Sequence, residues 1–316
     1  MSILQAQVAT YPLDLRAPFT YRAARLSGIS RAELGSPAFV RLSHGVYVSR
    51  AITRTLLVRT QAALLSAPDS AVVSHHTAAM LYGGWVPASS KIHLTMHVSL
   101  NCEQLGIRAH RVKRPPPASR WRGVRITSPE RTFCDLGSNL DLVELVVLGD
   151  RLVRRNRTTP ERLRSAAAEW DGPHAATLRR AAGLVRPHVD SRPETLLRML
   201  LVLAGLPEPE VDIRFYDRVT GDLQRRLDLG YRTLRLAIEY DGAQHFEDEE
   251  IYESDIERHE ELREKRHWQV TRVTKKGVFE VPLTTLRRVD GARVDRGARP
   301  TVFRDEWQAY FPGKQA

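Results

Sequence analysis

Asp228 and the run Leu234-Arg-Leu-Ala-Ile-Glu239-Tyr-Asp241-Gly-Ala-Gln-His245 constrain this chain more than any other feature. The alternating apolar residues read as a strand, yet strands disfavour carboxylates, and carboxylates repel one another. Two acids at the end of such a segment therefore need a reason. Glu239 and Asp241 are two residues apart, so on a strand they project from one face. A preceding strand through Arg226-Leu227-Asp228-Leu229 is expected to lie antiparallel after a turn at Gly230-Tyr231-Arg232-Thr233, which brings Asp228 alongside. Apolar residues flank the acids on both sides, as in a central strand buried on two faces. Buried acids require a cationic partner. Three carboxylates and the His245 imidazole make a donor set for a hard divalent cation, Mg²⁺ or Mn²⁺.

Further along, Asp255, Arg258 and Leu262 fall on one side of an expected helix, 255–267. Arg258 there is placed either to hold a phosphate in a bidentate grip or to pair with Asp255. Lys275 and Lys276 follow a strand over 270–273 and are open to phosphate contact or plain solvation. Before the acidic strands, Ser191-x-x-Glu194 is a capping box, with Glu194 at the third helical position.

Asp228, Ile238-Glu239-Tyr-Asp241-Gly242 and His245, followed by a charged helix and Trp268-Gln-Val-Thr-Arg-Val273, resemble the Vsr-like branch of the restriction-endonuclease fold over roughly residues 190–290. That resemblance implies an α/β nuclease core with a mixed central sheet. It also implies phosphodiester hydrolysis with Mg²⁺ or Mn²⁺ on Asp228, Glu239 and Glu194. Asp241 and His245 would be catalytic, with His245 moving a proton. The wider superfamily carries a lysine where this chain has Asp241, so Lys275 and Lys276 are candidates for the absent cation.

The front of the chain has another character. Phe19–Leu26 reads as an amphipathic helix, Ser30 caps a second helix from Arg31, and Phe39–Leu42 with Val46–Val48 forms a hairpin across Ser43-His44-Gly45. This is a winged helix-turn-helix pattern, with Arg31, Arg41 and His44 as DNA-contact candidates. Mixed α/β segments follow to about residue 155. Arg41-Leu-x-x-Gly45-Val-Tyr47, Ser74-His75-x-x-Ala78-Ala79 and Thr127-Ser-Pro129-x-Arg131-Thr resemble AbiEi-type antitoxins over residues 15–155. That resemblance implies DNA binding and transcriptional repression. His75, His76, His93, His97 and His110 raise a metal reading, but no carboxylate or cysteine lies at ligand spacing among them.

The expected architecture is α/β and multidomain: a winged helix (1–53), an AbiEi-like α/β domain (54–155), a helical spacer (156–189) and a restriction-endonuclease-like domain (190–316). The 316 residues, 42% apolar, suffice for several cores. Two cysteines, Cys102 and Cys134, without Cys-x-x-Cys spacing exclude a zinc finger and suit a reducing cytoplasm. No secretory signal opens the chain, and the apolar stretch 196–206 contains Arg198 and is too short to span a bilayer.

Net charge is +11, and residues 1–190 hold 26 Lys and Arg against 13 Asp and Glu. A basic front suits phosphate neutralisation; an Arg-rich composition from a GC-rich genome would look the same. The expected function is a metal-dependent DNA endonuclease in repair or in defence against foreign DNA. The competing expectation is an AbiEi-like repressor whose nuclease-fold domain does not cut. The sequence leaves open the DNA substrate, the number of strands cut, and whether a homodimer forms.

Overall fold

A computed structural model describes residues 13–97, 106–114, 116–217, 219–242 and 267–313. The protein is a mixed α/β chain in two compact units, residues 1–138 and 139–316.

The first unit opens with β1 (Phe19–Thr20), α1 (Tyr21–Leu26), α2 (Arg31–Leu34), β2 (Phe39–Ser43) and β3 (Val46–Ser49), the strands forming an antiparallel sheet in the order β1-β3-β2. Thr20 caps α1 by accepting from the Ala23 N–H, so Phe19 and Thr20 pair as strand where the helical reading had begun at Phe19. Ser30 and Glu33 exchange the two bonds of a capping box at the start of α2. Phe19, Ala24 and Leu34 form a small core, with the Phe39 ring edge-on to Phe19 at 5.7 Å. After α3 (Leu56–Leu65) come β4 (Val72–Val73), α4 (His75–Leu81), β5 (Ile92–Met96), β6 (Ile107–Arg111), β7 (Ala118–Trp121), β8 (Val124–Thr127) and α5 (Pro129–Asp135). The strands make a five-stranded mixed sheet ordered β6-β5-β4-β8-β7. Every residue of β5 is buried, in keeping with its interior place between β6 and β4. Cys134 is buried in α5, and burial pushes its thiol up to about 12, so it is not a nucleophile at neutral pH.

The second unit begins with α6 (Leu142–Arg154), α7 (Pro160–Glu169), α8 (Ala175–Leu184) and α9 (Arg192–Leu203). It continues with β9 (Glu210–Tyr216), β10 (Leu223–Tyr231), β11 (Leu236–Asp241), β12 (Gln269–Thr274), α10 (Lys275–Phe279) and α11 (Pro282–Val294). The sheet order is β12-β11-β10-β9, with β9, β10 and β11 antiparallel and β12 parallel to β11. Helix α9 packs on β10 and β11, and its Leu197 and Leu200 are buried.

Three expectations differ from this arrangement. Helix α6, expected to close the segment ending at 155, packs on α8 and α9 instead, so the unit starts near residue 139. The stretch 156–189, expected as a spacer, contributes Leu163, Ala167, Leu178 and Ala181 fully buried. Burying each leucine there stabilises the unit by about 1.5–3 kcal/mol, which a loose linker would forgo. The turn between the acidic strands also falls later, at Arg232–Leu234, with Arg235 left-handed at φ 49°. Gly230 is a strand residue: a Cβ there would meet the Leu236 carbonyl oxygen at 2.7 Å and Ile213 Cδ1 at 2.9 Å.

The unit boundary sharpens the charge asymmetry. Residues 1–138 hold 17 Lys and Arg against 6 Asp and Glu, the whole net charge of +11, and residues 139–316 balance at 31 against 31. No helix among the described residues is long and apolar enough to cross a membrane.

Candidate active site

Three elements of the second unit bring carboxylates together. Strands β10 and β11 pair Leu229 with Ile238 and Gly230 with Ala237, so one step on Asp228 and Glu239 face each other. Directly opposed residues of an antiparallel pair share a face with Cβ atoms roughly 4.5–5.5 Å apart. Glu194 reaches the same place from the first turn of α9.

The proton affinities record the crowding. Burial, then the nearby Glu239 charge, raises Asp228 to about 6, against the pull of the Tyr240 N–H that its carboxylate accepts. Burial, then the nearby Asp228 charge, raises Glu194 to about 7. Each carboxylate is thus harder to ionise because the next is present.

The capping box expected at Glu194 is half made. The Ser191 hydroxyl accepts from the Glu194 N–H at 3.3 Å, while the Glu194 carboxylate accepts from the Asp190 N–H at 3.0 Å rather than from that of Ser191. Glu194 is therefore turned toward the chain entering α9. Glu239 Oε1 lies 3.8 Å from an Arg225 guanidinium nitrogen, and Asp241 Oδ2 lies 4.0 Å from Arg272 Nη1. No group of three or more His, Cys, Asp or Glu among the described residues is placed to hold a metal ion. The donor chemistry and the excess of negative charge still fit a hard divalent cation: three carboxylates, two of them raised toward neutrality.

Two residues of the site were not singled out from the sequence. Asp212 lies between the register pairs Val211–Leu229 and Ile213–Leu227, so it stands opposite Asp228 on the other flanking strand. Its side chain is 5% exposed, its backbone is left-handed at φ 54°, and it pairs with Arg214 and Arg226 at 2.6 Å each. Arg226, two residues before Asp228, also pairs with Asp190, which pairs in turn with Arg154. A fixed guanidinium thus sits beside the carboxylates. The signal was present in the sequence: acid and arginine alternate in Asp212-Ile-Arg214 and in Arg226-Leu-Asp228.

Lys275 and Lys276 open α10 and are exposed. They follow Thr274, the register partner of Asp241, so both lysines and Asp241 occupy one end of the parallel pair. His245 and Arg258 lie outside the described residues. In the first unit Arg31 is exposed at the head of α2. Arg41 donates to the Ser43 carbonyl at 3.2 Å and contacts His44 Nδ1 at 3.0 Å, so Arg41 and His44 share the tip of the β2–β3 hairpin.

Four histidines, His75, His76, His93 and His110, also gather in that unit. The His75 and His110 rings stack at 3.4 Å, and His93 Nδ1 lies 3.0 Å from His110 Nε2. Burial first, then neighbouring charges that include the other imidazoles, lowers His75 to about 2, His93 to about 3 and His110 to about 4. They are neutral at neutral pH, and parallel stacking keeps the His75 and His110 lone pairs from meeting at one point. His97 instead contacts the Ser70 hydroxyl at 3.0 Å. No family model matches the chain, and no curated protein sequence matches it.

Proposed function

We propose that this chain is a metal-dependent DNA endonuclease, with a Vsr-like restriction-endonuclease core in its second unit and an AbiEi-like winged helix and α/β domain in its first. The observation that carries the reading is that Asp228 lies within electrostatic reach of both Glu194 and Glu239, from one helix and two strands, with Asp228 and Glu194 raised toward neutral pH. Mg²⁺ or Mn²⁺ held by Asp228, Glu239 and Glu194 would polarise a phosphate and lower the pKa of a water. Arg226, clamped by Asp190 and Asp212, keeps positive charge beside Asp228 and fixes the strand that carries it. Asp241 extends the acidic face, Lys275 and Lys276 offer cations to the DNA backbone, and His245 is the proton carrier of the scheme. Arg31, Arg41 and His44 supply phosphate contacts from the first unit. Repair or defence against foreign DNA are the settings that suit such an enzyme, acting in the cytoplasm.

One observation favours a second reading, a DNA-binding repressor of AbiEi type with a non-cutting core: the neighbouring acids do not form a ligand group of three among the described residues, and arginines lie near Glu239 and Asp241. Incubating supercoiled plasmid with the full chain in Mg²⁺, Mn²⁺ or EDTA decides between them. Metal-dependent nicking or linearisation supports the nuclease; tight duplex binding without cutting under any divalent ion supports the repressor.

Affinity tests the role of the first unit in either case. In EDTA, Arg31→Ala and Arg41→Ala are each expected to weaken duplex binding and to reduce the slope of log affinity against log salt by about 1. Fluorescence anisotropy over a salt series reads both. Unchanged slopes in folded variants remove α2 and the β2–β3 hairpin from the DNA contact.

A further inference from the structure

Three arginines occupy the β7–β8 hairpin, and each stands where a different residue would be more stable. Arg120 and Arg125 are register partners, so two arginine side chains leave the exposed side of the ribbon from directly opposite positions. Directly opposed like charges destabilise a strand pair. The two-residue loop between the strands is Arg122-Gly123, with φ 45° and 83°. Two positive φ values define the tight turn that favours Asn-Gly, and an arginine in its first place is strained.

The opposite side of the ribbon is well anchored. Val124 is buried, and Trp121 meets the Tyr82 ring edge-on at 5.3 Å. Arg122 lies over the Trp121 ring at 5.8 Å, and from the exposed side Arg125 donates to the Asp69 carbonyl. Among the described residues, none of the three arginines pairs with a carboxylate. The unit carrying them holds the whole net charge of the chain.

We infer that the β7–β8 hairpin is a second DNA-contacting element, in which Arg120, Arg122 and Arg125 bind the phosphates of duplex DNA in addition to the contacts of Arg31 and Arg41. The inference rests on the reading that this protein acts on DNA. Charge complementarity commits the face to a polyanion, and a two-stranded ribbon has the width to enter a major groove. Phosphate bound between Arg120 and Arg125 turns their repulsion into shared attraction, which accounts for a register that is unfavourable in the free protein.

The test uses the full chain in EDTA, so that no DNA is cut, with a fluorescent duplex, a single variant carrying Arg120→Gln, Arg122→Asn and Arg125→Gln, and a thermal melt beside each titration. The expected result is binding weakened about 10-fold or more near 0.1 M salt, and a log–log salt slope flatter by about 2–3. The variant is expected to melt at the same temperature as the parent or higher, because opposed charges and a strained turn residue are gone. A folded variant with unchanged affinity and slope overturns the inference while leaving DNA binding intact. Parent protein that does not bind the duplex even at low salt refutes the DNA reading itself. Parent protein that prefers duplex RNA of the same sequence, with the preference lost in the variant, reassigns the hairpin to RNA and overturns the inference.

Discussion

Asp228→Asn is expected to lower DNA cleavage by roughly 10²–10³-fold or more and, without metal at pH 8, to make the protein more stable. Both effects have one cause. Asp228 and Glu194 are raised to about 6 and about 7 by burial and by their neighbours' charges. A carboxyl whose folded pKa exceeds its unfolded value contributes stability that is complete below the unfolded pKa and lost as pH rises through the folded one. The metal-free protein should therefore lose stability from about pH 4 to above pH 7, by an amount on the order of 1–3 kcal/mol. Asparagine has the same shape and still accepts the Tyr240 N–H, but it removes one charge from the crowd. Its melting temperature at pH 8 in EDTA should exceed that of the parent by a few degrees, and the difference should shrink toward pH 4. Mg²⁺ should raise the melting temperature of the parent at pH 8 much more than at pH 5, and should leave Asp228→Asn nearly unmoved. Melting curves against pH and Mg²⁺ read all of this without an activity assay. A variant that melts lower than the parent at pH 8 would mean that the carboxylates do not strain the fold. Equal cleavage by parent and variant would remove Asp228 from the mechanism.

The acids could be found from sequence because strand periodicity is local: two residues apart means one face, and a short connection means antiparallel neighbours. That logic placed Asp228 beside Glu239 even though the turn itself lies at Arg232–Leu234. The misplaced turn came from reading Gly230 as a bend, whereas its missing side chain serves the close approach of the Leu236 carbonyl. The Ser30 helix cap was legible for the same reason, since its atoms lie within four residues. Asp212 was not legible, because what sets it opposite Asp228 is register with a third strand, and what strains it is a backbone angle. The mutual packing of the helices from 142 to 184 is not legible in the sequence, because their partners are distant along the chain. Amphipathic pattern shows that a face will be buried, not against what.

Breaking the ion pair between Arg198 and Asp150 is expected to have the largest effect on stability of any single change in the second unit. The sequence showed Arg198 only as a charge interrupting an apolar stretch. In the fold both side chains are fully buried, with Arg198 Nη2 on Asp150 Oδ2 at 2.9 Å and Arg198 Nη1 on Glu208 at 2.9 Å. Asp150 also accepts from the Thr195 hydroxyl at 3.0 Å and from the Arg186 N–H at 2.8 Å, so it joins α6, α8's exit and α9. Burial pushes the Asp150 carboxyl up, against the pull of Arg198. Asp150→Ala leaves the guanidinium with half its countercharge in the core, at a cost of about 3–5 kcal/mol. Urea denaturation should show that loss, with a melting temperature lower by about 10 °C or more. Replacing both residues, Asp150→Leu with Arg198→Met, removes the stranded charge and should recover much of the loss. A double-mutant cycle measures the coupling directly, and strictly additive single losses would refute it. Glu194 stands one helical turn before Arg198 on α9, so this pair also holds a candidate ligand in place. Its loss should reduce cleavage in proportion to the unfolded fraction, whereas Asp228→Asn should lower cleavage by the same large factor in a fully folded protein. The ratio of rate to folded fraction therefore separates the scaffold of the site from its chemistry.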